Sequence, residues 1–64
     1  MPESPILKYF KFSHLPEELQ DVSRPFYYLA QDIEQGTSAG PEKSAGLRKL
    51  LEAKDCIVRA NLDA

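Results

Sequence analysis

The sequence of 64 residues predicts an all-α fold, a two-helix antiparallel hairpin that follows an N-terminal arm. Apolar residues recur at helical spacing in two segments, a proline stands at the expected start of each segment, and a short stretch with two glycines separates them. We expect a single domain with an arm (residues 1–14), a first helix (15–35), a turn (36–40) and a second helix (41–62). A turn of about five residues makes two helices antiparallel neighbours.

The arm carries several aromatic residues, and all six Phe and Tyr residues of the chain lie in its first half. We expect Phe10 or Phe12 to fix the arm onto the helices. His14 stands just before the first helix. It either donates to a phosphate beside the positive end of the helix dipole or simply caps the turn.

The first helix is predicted to begin at Pro16, because proline is favoured at the first helical position, with Glu17 and Glu18 beside the positive end of the dipole. Pro25 removes one internal hydrogen bond, but the apolar pattern continues in phase across it, which favours one bent helix of about 30 Å. The residues of this predicted apolar seam are Leu15, Leu19, Val22, Phe26, Leu29 and Ile33.

The second helix is predicted to begin at Pro41, and its apolar residues cover much more than a narrow stripe. Lys54 falls near the centre of this wide apolar face, on the line of Leu50. The opposite side carries alternating charges, which predict the intrahelical ion pairs Arg48–Glu52 and Asp55–Arg59. The apolar residues are Leu47, Leu50, Leu51, Ala53, Ile57, Val58 and Ala60.

A chain of this size rarely obtains more than about 3–5 kcal/mol from its own core and usually needs a further stabilising device. Cys56 is the only cysteine and His14 the only histidine, so we expect no disulfide, no metal site and no cofactor. A two-helix hairpin buries one side of each helix and leaves the wide face without a partner. We therefore predict a homo-oligomeric helical bundle with Leu50 and Ile57 packed between subunits.

The charge of the chain and its motifs exclude several classes of function. The net charge of −2 and the pI near 5.2 disfavour binding to long nucleic acids. Because no apolar run reaches about 18 residues and the N-terminus has no signal-peptide pattern, we expect a soluble cytoplasmic protein without a membrane partner. The sequence contains no glycine-rich phosphate loop, paired-histidine motif or serine elbow, so we expect no catalytic residue and no enzyme activity.

Two residues of the helices are candidates for a binding site. Lys54 either packs its stem between leucines with the ammonium in water, or lines a pocket between subunits and binds an anion. Tyr27 lies about 100° off the apolar seam, and an exposed ring near cations can stack on a nucleobase.

The order and spacing of several short segments resemble those of phage and prophage proteins in the helical-hairpin family of anti-CBASS and anti-Thoeris cyclic-nucleotide sponges. The resemblance spans roughly residues 10–62. The segments that carry it are Phe12–Leu19, Val22–Phe26, Leu29–Ala30, Pro41–Glu42 and Leu47–Ala60.

This resemblance implies an oligomer, often a hexamer, that sequesters immune second messengers in the host cytoplasm without hydrolysing them. The ligands would be cyclic dinucleotides and, at separate sites, cyclic trinucleotides, held where subunits meet. Phe12 occupies the position of an aromatic residue that stacks on a base, and Tyr27 stands where some members have a lysine, which leaves stacking as its role here. The basic positions of the last helix correspond to Arg48, Lys54 and Arg59.

Periodicity and resemblance disagree about Arg48 and Arg59. The periodicity predicts that both are held in ion pairs within the helix, whereas the resemblance implies that both are free to bind a ligand. The alternative function is a small oligomeric protein–protein interaction module, antitoxin-like or structural, that has no nucleotide ligand. In that case the wide face of the second helix would bind a protein partner.

Overall fold

The computed structural model describes residues 4–63, and these residues form helices and turns without a strand. A 3₁₀ helix spans Pro5–Phe10, helix α1 spans Glu17–Gly36 and helix α2 spans Pro41–Asp63. The predicted all-helical hairpin with an arm is therefore confirmed at the level of its helices. The 3₁₀ helix within the arm was not part of the prediction.

Helix α1 begins at Glu17, two residues after the predicted bound at residue 15 and one after Pro16. The backbone N–H groups of Leu19 and Gln20 both donate to the carbonyl of Pro16, at 2.9 and 3.0 Å, so Pro16 precedes the helix as its N-cap. Leu15 belongs to the preceding turn, where its N–H donates to the carbonyl of Phe12. Pro25 lies inside α1 without ending it, which confirms one helix rather than two.

The two helices are joined by a turn from Thr37 to Gly40, and α2 begins at Pro41 as predicted. Gly40 has a φ of +158°, which side-chain-bearing residues rarely adopt. Helices of this length are about 30 and 35 Å long, and the chain measures 37 × 18 × 15 Å. The helices therefore lie side by side along the long axis and run antiparallel.

The core forms where the arm meets the hairpin. Leu7 and Phe10 of the 3₁₀ helix are buried against Ala30 of α1 and Leu47 of α2. Phe10 is 0% exposed and fixes the arm within the core, whereas Phe12 is half-buried. This apolar insertion supplies contacts that two helices alone would not have.

The predicted seam of α1 is wrong at Leu29, which is 47% exposed. The fully buried line of α1 contains Leu19, Ser23 and Ala30, whereas Phe26 is only half-buried. The buried line of α1 faces the arm as well as α2, because α1 packs against both the 3₁₀ helix and α2. Ala30, a small residue on this line, packs with Leu7 and Phe10 of the arm.

The two sides of the hairpin consequently differ. With a rotation of about 100° per residue, Leu29 and Tyr27 lie on opposite flanks of the buried line of α1. On α2, Ile57 and Leu51 also lie on opposite flanks of the buried line, Ile57 rotated in the same direction as Leu29 and Leu51 in the same direction as Tyr27. Because the helices are antiparallel, Leu29 and Ile57 share one side, which we call the open face. The other side, which holds Tyr27 and Leu51 and lies against the arm, is called the covered face.

Candidate ligand site

A cavity of about 440 Å³ lies at the junction of the arm and α1, open to solvent. It is lined by three consecutive arm residues, Lys11, Phe12 and Ser13, and by Tyr27 and Tyr28 of α1. Two of the residues selected from the sequence, Phe12 and Tyr27, therefore meet in one site. Its volume lies within the range of roughly 300–1,000 Å³ that is common for small-molecule sites.

The aromatic rings of the cavity pack edge to face. The ring centroids of Phe12 and Tyr27 are 5.4 Å apart with planes at 76°, and those of Tyr27 and Tyr28 are 5.3 Å apart at 80°. Tyr27 is held between two neighbours and is half-buried, more than its predicted exposed position implied. Edge-to-face packing fixes the ring planes, so the site presents oriented aromatic surface rather than loose side chains.

Two cations, Arg24 and Lys11, lie beside these rings. The guanidinium carbon of Arg24 lies 5.4 Å from the centroid of Phe12, a cation–π distance, and one of its nitrogens is 3.0 Å from the carboxylate of Asp21. Lys11 lines the cavity itself. Both members of the Arg24–Asp21 pair are well exposed, so water screens the pair and the guanidinium can still be reached by an anion.

The loop that carries Phe12 is fixed by hydrogen bonds. The side-chain amide of Gln20 donates to the carbonyl of Leu15 at 2.8 Å and more weakly to that of Ser13 at 3.4 Å. Together with the bond from Leu15 N–H to the carbonyl of Phe12, at 3.0 Å, these contacts anchor the loop to the first turn of α1. The cavity is therefore built on ordered backbone.

Lys54 is 7% exposed, and its ammonium donates to the carbonyl of Tyr9 at 2.7 Å. The sequence placed Lys54 near the centre of a face directed at another subunit, with its charge in water or on a ligand. Instead it points at the arm of its own chain, next to Leu47 and Leu51 on the inner side of α2. The reason is that the arm supplies a carbonyl acceptor, so that a buried ammonium has a partner.

Arg48 lies away from the aromatic cavity. It lines a smaller depression of about 270 Å³ between the start of the arm and the beginning of α2, together with Ser4, Ile6, Ser44 and neighbouring residues. Arg48 is exposed. Within one chain, the structure thus separates Arg48 from Phe12 and Tyr27.

His14 and Arg59 are exposed and line neither cavity. Among residues 4–62 the ion pairs are Arg24–Asp21 and Lys43–Glu34, so the predicted pairs Arg48–Glu52 and Asp55–Arg59 are wrong. Arg59 instead donates to Cys56 Sγ at 3.4 Å. Exposed pairs of this kind gain little over hydration, because water competes for both charges.

A polar clamp joins the beginning of the arm to the turn of the hairpin. The Ser4 hydroxyl and backbone N–H donate to the two oxygens of Glu34 at 2.7 and 2.8 Å. Lys43 donates to the Glu34 carbonyl at 2.9 Å and pairs with its carboxylate at 3.0 Å. The pKa of Glu34 is lowered, first by the Ser4 hydroxyl, then by the Ser4 N–H and by Lys43, which together outweigh burial.

Sequence reasoning missed several residues of the site, namely Lys11, Ser13, Arg24 and Tyr28. Lys11 and Ser13 flank Phe12 directly, and a search for cations beside the selected aromatic residue would have found Lys11. Arg24 and Phe12 are twelve positions apart, and only the turn before α1 brings them together.

The part of the chain that the structure describes contains no group of three or more His, Cys, Asp or Glu side chains placed to hold a metal ion. Neither helix in this part has an apolar stretch sufficient to cross a membrane. Comparisons with protein-family models, curated protein sequences and solved structures find no match to this chain.

Proposed function

We propose that this protein is a homo-oligomeric sponge that binds cyclic oligonucleotides and sequesters them without cleavage, in the cytoplasm of a bacterial host. The observation that carries the proposal is the aromatic cavity, in which oriented rings of Phe12, Tyr27 and Tyr28 stand beside the cations of Lys11 and Arg24. A cyclic di- or trinucleotide offers bases that stack on aromatic rings and phosphates that pair with cations. The resemblance of the sequence to phage sponges supports the same ligand class.

Sequestration rather than cleavage fits the residues around the cavity. Phosphodiester hydrolysis needs a group that activates water or a metal that does so. The lining residues are an ammonium, a serine hydroxyl and three aromatic rings, without a carboxylate or imidazole among them. The ligand should accordingly be recovered intact when the loaded protein is denatured.

Assembly is supported by the open face. Ile57 is 43% exposed and Leu29 47% exposed, and the half-buried Val22 lies on the same flank of α1 as Leu29. Leu50, which was predicted to pack between subunits, is half-buried against the core of its own chain. A second copy would remove the apolar surface of the open face from water. In that assembly, Arg48 and Arg59 of a neighbouring subunit would supply phosphate contacts that a single chain does not bring to the cavity.

Calorimetry with a panel of cyclic di- and trinucleotides tests the proposal. We expect Phe12→Ala to weaken binding by about 1–3 kcal/mol, the usual contribution of one stacked base. The matched control is Tyr9→Ala, since Tyr9 is an exposed aromatic of the same arm outside the cavity. The absence of heat and of a thermal shift with every member of the panel would refute nucleotide binding.

The alternative function, a protein–protein interaction module, is favoured by the same open face. It predicts that Ile57→Glu abolishes capture of a protein partner while Phe12→Ala leaves it intact. Loss of nucleotide binding in Phe12→Ala, with nucleotide returned intact from the wild-type protein, would decide for the sponge.

A further inference from the structure

The position of Lys54 has a consequence for the cavity that neither its sequence context nor the resemblance indicates. Its ammonium is buried and donates to the carbonyl of Tyr9, the penultimate residue of the 3₁₀ helix. Carbonyls at the end of a helix lack internal donors and carry partial negative charge, so a cation is well placed there. Lys54 thus caps the end of the 3₁₀ helix from α2.

This cap lies immediately upstream of the ligand-facing segment. Tyr9 is followed by the fully buried Phe10 and then by Lys11, Phe12 and Ser13, which line the cavity. On the downstream side, Gln20 holds the carbonyls of Ser13 and Leu15. Hydrogen bonds therefore fix the backbone on both sides of the three cavity residues of the arm, from Lys54 of α2 on the upstream side and from Gln20 of α1 on the downstream side.

We propose that Lys54 is a positioning residue for the cavity rather than a ligand for phosphate. Its hydrogen bond to Tyr9 holds Phe12 against Tyr27 and Lys11 at the same cavity, and the phosphate contacts made by the same chain come from Lys11 and Arg24. The effect of Lys54 on ligand affinity rests on the proposed function, whereas its effect on the position of the arm does not. Separate experiments test the two effects.

The first test needs no ligand. Lys54→Met keeps the apolar stem and removes the donor, so we expect trypsin to cleave after Lys8 and Lys11 at least tenfold faster while the helical circular dichroism is retained. Lys49→Met, an exposed lysine on the same helix, should leave the cleavage rate unchanged. Lys54→Arg, which retains a cationic donor, should restore part of the protection. Equal cleavage of Lys54→Met and the wild type would overturn the proposal.

The second test separates positioning from direct contact with a cyclic dinucleotide. A lysine that pairs with phosphate contributes to the salt dependence of binding, because salt screens the attraction between the two charges, so its removal makes the slope of log K against log salt shallower. We expect Lys54→Met to weaken binding about tenfold with the slope unchanged, and Lys11→Met to reduce the slope. A reduced slope in Lys54→Met would show a direct contact and overturn the proposal.

Should Lys54→Met fail to fold, the wild-type protein decides through acetylation of its lysines. In the free protein Lys54 should react at least tenfold more slowly than the exposed Lys49. Adding the cyclic dinucleotide should protect Lys11 and leave Lys54 as it was. Rapid acetylation of Lys54 that the nucleotide suppresses would overturn the proposal. If no member of the panel binds, the proposed function fails, and the cleavage and free-protein acetylation rates still decide the role of Lys54 in the arm.

Discussion

The two sides of the hairpin differ in what covers them. On the covered face, the 3₁₀ helix inserts Leu7 and Phe10 between the helices, and polar contacts from Glu34 and Lys54 hold its two ends. On the open face, Leu29 and Ile57 remain in water although both are large and apolar. The arm therefore covers one side of the hairpin, while the described residues leave large apolar side chains of the other side exposed.

The largest expected effect is on the covered face. Phe10→Ala should lower the free energy of unfolding by about 3–5 kcal/mol, the range for removing a large buried side chain. Chemical denaturation monitored by circular dichroism measures it. Because a chain of this size has roughly that much stability in total, the variant should be largely unfolded at 25 °C. Its counterpart on the open face, Leu29→Ala, should stay folded. Similar losses in both variants would contradict the difference between the faces.

The second prediction concerns self-association through the open face. Ile57→Glu places a charge on the open face and should weaken self-association at least a hundredfold, about 2.7 kcal/mol. Sedimentation across a dilution series measures it. Leu62→Glu is the matched control, since Leu62 is an exposed apolar residue on the same helix outside the open face. A wild-type protein that is monomeric at every concentration would contradict self-association through the open face.

The third prediction tests the clamp at the start of the arm through pH. The pKa of Glu34 is lowered in the folded chain, so its carboxylate contributes stability above the ordinary value of 4.5, and this contribution is lost as the pH falls through the folded pKa. Glu34→Gln should therefore be less stable than the wild type at pH 7, and the difference should shrink toward pH 3. Thermal unfolding between pH 3 and 7 measures it. A constant difference at all pH values would mean that the carboxylate charge does not act in the clamp.

Glu52→Gln is the control for this series, because Glu52 is exposed in the middle of α2 and forms no ion pair among the described residues. Its stability should follow the wild type at each pH.

The smallest expected effect has the opposite sign. Ser23 is fully buried on α1, and its hydroxyl has no hydrogen-bond partner among the residues that the structure describes. Ser23→Ala removes this unpaired group and favours the helix, so we expect a gain of about 1 kcal/mol in the free energy of unfolding. Ser44→Ala, at an exposed position of α2, measures the gain from helix propensity alone. A loss of stability in Ser23→Ala would show that the hydroxyl has a partner.

The site was predictable in part. Tyr27 was selected as an exposed ring near cations and Phe12 through the resemblance, and the two residues do share a cavity. Arg48 and Arg59 were selected through the resemblance, against the helical periodicity, and the structure places both outside that cavity. Helical periodicity reports angle about one axis and carries no information on which neighbouring element lies there. Lys54 shows this most clearly, because periodicity correctly placed it on the apolar side of α2 but could not show that its partner, the carbonyl of Tyr9, belongs to the arm.

The sequence by itself determined the helices, the turn between them and their antiparallel arrangement, because proline and glycine positions and local periodicity act within a few residues. Only the tertiary structure decided which sides of the helices are buried. The arm packs on one side, turns α1 so that Ser23 and Ala30 face inward, and leaves Leu29 exposed. That choice depends on contacts between residues far apart in the chain, whose free energies favour the side where Phe10 can be buried.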